Sequence, residues 1–308
     1  LAKEFVEIGV KAVVLIGGGE PMAHPEFGTL VDYFYKNDIH VGVTSNGTLI
    51  DKYLKSLAFH TKWVRISVDA GCEEVFQQYR PHASGKSQFN KVIDGMKKIA
   101  KDRTTKLGYS FLVLEKVDSD KSRNEKGKNF VETNATDISK AAKLAKDIGC
   151  DYFEVKPAFD IMHYLQNQDS RVTDITNKQL ENINKLNSDT FQVIAPYTLD
   201  EALRGDNVQP KNYDKCLVAN MRTVVSPSGV YVCPYHRGNL NMRIGDIGKE
   251  SFKEMWFGQK RNEVMKKLDP RKHCGFHCIR DNSNKYLQKI IDGQESIKDN
   301  EDSYDRFI

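Results

Sequence analysis

The chain has 308 residues, enough for one large domain or two of moderate size at about 150 residues each. Its 46 Lys and Arg against 42 Asp and Glu leave a net charge of +4, and with no basic block this balance excludes a dedicated nucleic-acid binder. The longest good apolar run, Ala12 to Ile16, falls well short of the about 18 residues a membrane helix needs, and six cysteines are too sparse for a disulfide scaffold. Leu1 already lies in a helical pattern, so the true start, with any targeting signal, is expected to be absent from this sequence.

From the start to about residue 156, strand-like runs alternate with amphipathic stretches. The strands are expected at Ala12 to Ile16, His40 to Thr44, Trp63 to Val68, Leu107 to Leu114 and Tyr152 to Val155. Helices are expected at Glu26 to Lys36, Ile50 to Phe59, Ser87 to Lys101 and Asp137 to Ile148, the last stopped by Gly149. Strands alternating with helices predict an α/β fold with a parallel sheet, built from right-handed βα units of about 30 to 40 residues. Functional groups then belong in the loops that follow the strands. Two stretches break the rhythm. Glu115 to Asn134 is polar and reads as a solvated excursion or a substrate lid. Asp160 to Pro210 holds a helix near Asn177 to Leu186 and a short strand near Phe191 to Ala195, with a domain boundary expected near Pro210. Thr223 to Val225 and Val230 to Cys233 flank Ser226-Pro227-Ser228-Gly229 as a hairpin; helices follow at Ser251 to Leu268 and Lys285 to Ile291, ahead of a charged tail.

Gly17-Gly18-Gly19-Glu20-Pro21 directly follows the first strand. It is not a dinucleotide fingerprint, because Met22 takes the third glycine position, and no Gly-Lys-Ser/Thr follows to make a phosphate loop. What remains is a loop that presents Glu20, fixed by Pro21, to a cationic group such as an ammonium, or else a tight turn with an exposed glutamate. Thr44-Ser45-Asn46-Gly47 ends the next strand. Ser67 and Asp69 end the one after, on one side of it, where a hydroxyl and a carboxylate can hydrogen-bond a ribose diol; Asp69 could instead cap a helix near Glu73. Lys156 is a further candidate, against the plainer reading of a solvated lysine.

The motifs GGGEP, SNGT and ISVDAG after three successive strands resemble the core of radical S-adenosylmethionine (radical SAM) enzymes, over Leu1 to about Pro157. The resemblance implies an open (β/α)6 barrel of TIM type, present here as a partial barrel, with Gly18, Gly19, Glu20 and Pro21 at the methionyl ammonium of the cofactor. It likewise implies Ser67 and Asp69 at the ribose. The family's CxxxCxxC loop, which binds its first 4Fe-4S cluster, is missing from the sequence. The expectation is amino-terminal truncation, with about one βα unit and that cluster lost and this chain unable to cleave the cofactor; a degenerate relative is the alternative.

Cys216, Cys233, Cys274 and Cys278 can converge, the first two at the hairpin base and the last two from one turn. Four thiolates suit an iron–sulfur cluster or a tetrahedral zinc ion, with two disulfides a third reading. The layout resembles the twitch domain, a shortened SPASM domain, which implies one auxiliary 4Fe-4S cluster held by these four cysteines. His236, His273 and His277 are expected beside it without binding metal, Cys72 and Cys150 are expected to be unligated, and Tyr235 and Arg237 could face the barrel or the surface. The expected divisions are a core at 1–210, the cluster domain at 211–281, with a small hairpin and helix, and a tail at 282–308. Jointly the resemblances imply a 5′-deoxyadenosyl radical abstracting hydrogen from an unknown small molecule or peptide, with dehydrogenation or peptide modification as outcome; the dehydrogenases acting on aminocyclitols are similar in cysteine layout. They also imply an electron donor such as flavodoxin or ferredoxin and a reducing cytoplasm. A zinc-stabilised scaffold on a degenerate barrel is the competing reading, and a secreted disulfide protein a third.

Overall fold

The computed structural model describes residues 1–115, 132–158, 170–196, 199–204, 210–276, 278–296 and 306–307. Most of the polar excursion after Glu115 and His277 lie outside them. Among the described residues, contacts divide the chain into two units: residues 1–11 with those beyond 206, and the residues between. In chain order the elements are α1 (Ala2–Glu7), β1 (Ala12–Leu15), α2 (Phe27–Lys36), β2 (His40–Ser45), α3 (Leu54–Phe59), β3 (Trp63–Ser67), α4 (Glu73–Tyr79), α5 (Phe89–Lys101) and β4 (Lys106–Val113). They continue as α6 (Ile138–Ile148), β5 (Tyr152–Pro157), α7 (Ser170–Ile183), β6 (Gln192–Ile194) and α8 (Leu199–Arg204). Then come β7 (Val224–Ser226), β8 (Gly229–Tyr231), β9 (Arg243–Gly245), α9 (Phe252–Phe257), α10 (Gln259–Lys267), α11 (Pro270–His273) and α12 (Asp281–Ile291).

In the larger unit β1 to β6 form one sheet in sequential order, every pairing parallel, as a partial barrel of βα units requires. Strand alternation sorts its two faces. Val43, Val64, Ile66, Tyr109, Phe111, Phe153 and Val155 are buried, the pattern of a face covered by helices. Helix α5 meets it with Val92, Met96 and Ile99, the spacing of one helical stripe, and α6 with Ala141, Ala142 and Ala145 before Gly149 closes it at φ 92°. Each large apolar side chain so buried contributes about 1.5–3 kcal/mol. The opposite face carries Thr44, Trp63, Arg65, Ser67, Tyr152, Glu154 and Lys156, all half-buried. Gly42 and Gly108 leave room there for rings lying across neighbouring strands: a Cβ would stand 2.2 Å from the Trp63 indole and 2.1 Å from Tyr152.

The smaller unit is an antiparallel sheet, β7-β8-β9, with α9 and α10. Val230, Val232, Met242, Ile244, Phe252, Met255, Val264 and Leu268 make its core, with Cys216, Cys233 and Cys274 packed against it. The hairpin follows the sequence pattern; β9 was not foreseen. The single helix expected over Ser251 to Leu268 is two, broken at Gly258, where a Cβ would stand 2.3 Å from the Glu254 carbonyl oxygen. Ser251 and Glu254 cap α9 reciprocally. Helix α1 belongs to this unit: Phe5 meets Phe252 edge-on at 4.7 Å, and Glu4 accepts from the Phe252 backbone amide.

Candidate active site and metal centre

The glycine loop follows β1. Gly17 is demanded by the turn, since its Cβ would stand 2.5 Å from the Gly19 carbonyl oxygen, whereas a Cβ at Gly18 or Gly19 would meet nothing within 4 Å. The chain therefore does not need the latter two for its own packing, and their backbone faces open space. Beyond them Glu20, half-buried, is held from the β2 side. Its Oε1 accepts from Ser45 Oγ at 2.8 Å and from the Met22 amide at 3.1 Å, and its Oε2 accepts from the Asn46 amide at 2.8 Å. Ser45 Oγ accepts in turn from the Gly47 amide at 2.9 Å. Ser45 and Asn46 thus position the carboxylate, a role that sequence reading missed because it joins positions 25 and 26 residues apart. Pro21 opens the short 3₁₀ turn Pro21–Ala23 that Glu20 caps.

Ser67 ends β3 half-buried on the polar face. Asp69 does not share its exposure. Its φ of 59° places it in the left-handed region, and its carboxylate is fully buried. Oδ1 accepts from the Leu112 amide at 2.7 Å and Oδ2 from Arg80 Nε at 2.7 Å, with a second Arg80 nitrogen on the same oxygen. Burial pushes the Asp69 carboxyl up against the opposing pull of Arg80. The carboxylate expected at the ribose is therefore committed to the protein, and it does not cap α4, whose first residue follows Cys72. Lys156 is no solvated lysine: its Nζ lies 3.3 Å from Glu154 Oε2, which also accepts from Arg65 at 2.9 Å.

In the smaller unit Cys216, Cys233, Cys274 and Cys278 line one cavity together with Tyr213, Arg222, His236 and Phe276. None of the six cysteines is in a disulfide. Burial, then the neighbouring thiols, raise Cys216 and push Cys274 up to about 12; burial likewise raises Cys278. Such thiols stay neutral until a metal ion binds the sulfur and displaces the proton to solvent. Among the described residues no three His, Cys, Asp or Glu are grouped closely enough to hold a single ion. Four thiols around a common cavity fit a polynuclear cluster by their chemistry. His236 is buried, its Nε2 3.7 Å from Cys274 Sγ; burial, then His273, pull it down to about 4. His273 is exposed, and Tyr235 stacks on Phe276 at 4.8 Å while Arg237 is exposed. Cys150 is buried and Cys72 lies at the start of α4, both away from this cavity's lining.

Residues 1–116 match the family model of the Radical SAM superfamily. Over that segment the chain is similar to radical SAM proteins. Beyond that segment the likeness is one of fold: Streptococcus suis SuiB, 11% identical, superposes with a TM-score of 0.56 over 86% of this chain and 59% of its own. SuiB bound to S-adenosylmethionine and SuiB bound to precursor peptide SuiA, each 12% identical over 85% of this chain, give TM-scores of 0.56 and 0.55 and are covered over 58% and 59% of their lengths. The chain thus spans less than two thirds of SuiB. No curated protein sequence gives a significant match. Among the described residues no helix is long and apolar enough to cross a membrane.

Proposed function

We propose that the chain binds S-adenosylmethionine at the end of its parallel sheet and a 4Fe-4S cluster at its four carboxy-terminal cysteines, as part of an enzyme that abstracts hydrogen from a small-molecule or peptide substrate. The carrying observation is the Glu20 carboxylate, fixed by three donors beside the open backbone of Gly18 and Gly19 in the segment similar to radical SAM proteins. A carboxylate already oriented pays little entropy to meet an ammonium group. Gly18 and Gly19 admit the methionyl end, Glu20 accepts from its ammonium, Pro21 holds the turn, and the Ser67 hydroxyl reaches the ribose. Asp69 acts as a positioning residue, holding Arg80 and the loop after β3. When bound, the cofactor and its reducing cluster supply the 5′-deoxyadenosyl radical. The protein's part is to orient the cofactor and keep water from it.

Cys216, Cys233, Cys274 and Cys278 would fill every protein site of the cluster, which suits electron transfer rather than binding of a substrate at iron, and so an oxidative outcome such as dehydrogenation or peptide modification. Support comes from the cavity that the four cysteines line together. The test is metal and sulfide analysis with an absorption spectrum on protein prepared without oxygen. About four irons, four sulfides and a broad band near about 400 nm are expected. One zinc ion without sulfide would replace this reading with a zinc-stabilised scaffold.

A further inference from the structure

Helix α12 begins at Asp281, three residues after Cys278 and four before the helix expected at Lys285 to Ile291. The added turn carries Asp281 and Asn284. Asn284 is the one buried residue of α12, and its side chain is polar. Asparagine is a poor helix former and costly to bury unless its amide is fully used. Here Oδ1 accepts from the Leu217 amide at 2.6 Å and the Val218 amide at 3.3 Å, while Nδ2 donates to the Lys215 carbonyl at 3.1 Å. Two backbone donors and one backbone acceptor fix which way round the amide sits. All of these bonds go to the backbone on either side of Cys216. One turn earlier Asp281 accepts from the Tyr213 hydroxyl at 2.8 Å, so α12 holds the same segment at a second point. From α10, Arg261, buried against the Trp256 ring at 3.9 Å, donates to the Ala219 and Asn220 carbonyls at 3.3 and 3.4 Å.

Cys216 itself lies outside any helix or strand, just ahead of the short 3₁₀ turn Val218–Asn220. Asn284 holds the start of that turn and Arg261 its end, and the Ala219 amide inside it donates to the Cys216 sulfur. Cys278 is tied to the same helix, its carbonyl accepting from the Asp281 amide at 3.0 Å. We propose that Asn284, with Asp281 one turn before it, is a positioning residue of the metal centre: it fixes the backbone around Cys216 from the helix that Cys278 precedes, and so sets where the Cys216 sulfur stands in the shared cavity. This rests on the reading of the four cysteines as a metal centre. The backbone is set in advance, and the thiol still awaits its metal. Helix α12 is then part of the centre and not the beginning of a tail.

The test follows alkylation of each cysteine by iodoacetamide, read by peptide mass spectrometry on the full chain without metal. N284L fills the same space with an apolar group and loses every bond to the Cys216 segment. Cys216 should then alkylate about tenfold faster, with Cys233, Cys274 and Cys278 changing by less than about twofold. N284D keeps an acceptor for both amides and should stay within about threefold of the wild type, a rescue that a packing role would not give. Y213F releases only the neighbouring bond to Asp281 and should speed Cys216 by about threefold, a result that is read even if N284L does not fold. After reconstitution with iron and sulfide, N284L should lose iron to a chelator about tenfold faster than the wild type, with N284D close to the wild type. Unchanged reactivity of Cys216 in all three variants overturns the proposal, as does an equal rise of all four cysteines in every variant. Metal analysis of the wild-type chain judges the metal-centre reading by itself; the alkylation contains no metal and judges Asn284 whichever way that analysis falls.

Discussion

Glu20 and the four clustered cysteines are both candidate ligand-binding groups, yet the fold treats them in opposite ways. Glu20 is satisfied without a ligand, each oxygen accepting from Ser45, Asn46 or Met22. The cysteines line a cavity in which burial holds thiols neutral, so the smaller core closes around groups that lack strong partners. A preorganised site costs stability before binding and recovers it as affinity, whereas a site completed by its ligand makes the ligand part of the fold. On the proposed function, the sheet should therefore be indifferent to its cofactor, and the smaller unit should not be indifferent to the metal proposed for it.

Removing the metal with a chelator is the sharpest way to break this comparison. Amide exchange at Val230, Val232 and Ile244 should accelerate by on the order of 100-fold, while Val64, Ile66 and Phe153 in the sheet keep their protection. Equal protection in both units with and without metal would remove the contrast. Replacing Cys216 by Ser should have nearly the same effect and lower the iron content measured after reconstitution. Next in size is E20Q, which loses a charge-assisted interaction of about 1.5–3 kcal/mol and should weaken S-adenosylmethionine binding by about 10- to 100-fold in a titration, with a smaller drop in thermal stability because the new NH2 cannot accept from the donors that hold Glu20. S45A should cost affinity by only about tenfold or less, because the Asn46 amide still holds Oε2. Smallest is G149A, which forces an alanine to φ 92° and should lower stability by about 1 kcal/mol in denaturant unfolding without touching either site.

The strands were legible because alternation and β-branched runs are local: β1 to β5 begin within a residue of their expected starts. Helix α4 was legible only as a start near Glu73, because seven residues with few apolar anchors give no period from which to read its length. The break between α9 and α10 was foreseeable from Gly258, but the apolar stripe ran past it. Site residues divide by the same logic. Glu20 announces itself by the glycines before it, whereas its holders sit on another strand. The Arg65 and Glu154 pair spans 89 residues and appears only when strands are in register, although an arginine at an inward strand position is a signal in itself. Asp69 was misplaced because alternation extends a strand geometry that the chain abandons: at φ 59° the carboxylate turns toward Arg80.

Helix α1 is tied to α9 by contacts across 248 residues of sequence. During synthesis the Phe5 and Ile8 face must wait until the segment that holds its partner Phe252 has been made. Closing so long a loop is slow, and the interval exposes an apolar surface to other chains. Assembly of the smaller unit is thus the late event in folding, and substitutions at Phe5 or Phe252 should show themselves first as poor yield of refolded protein.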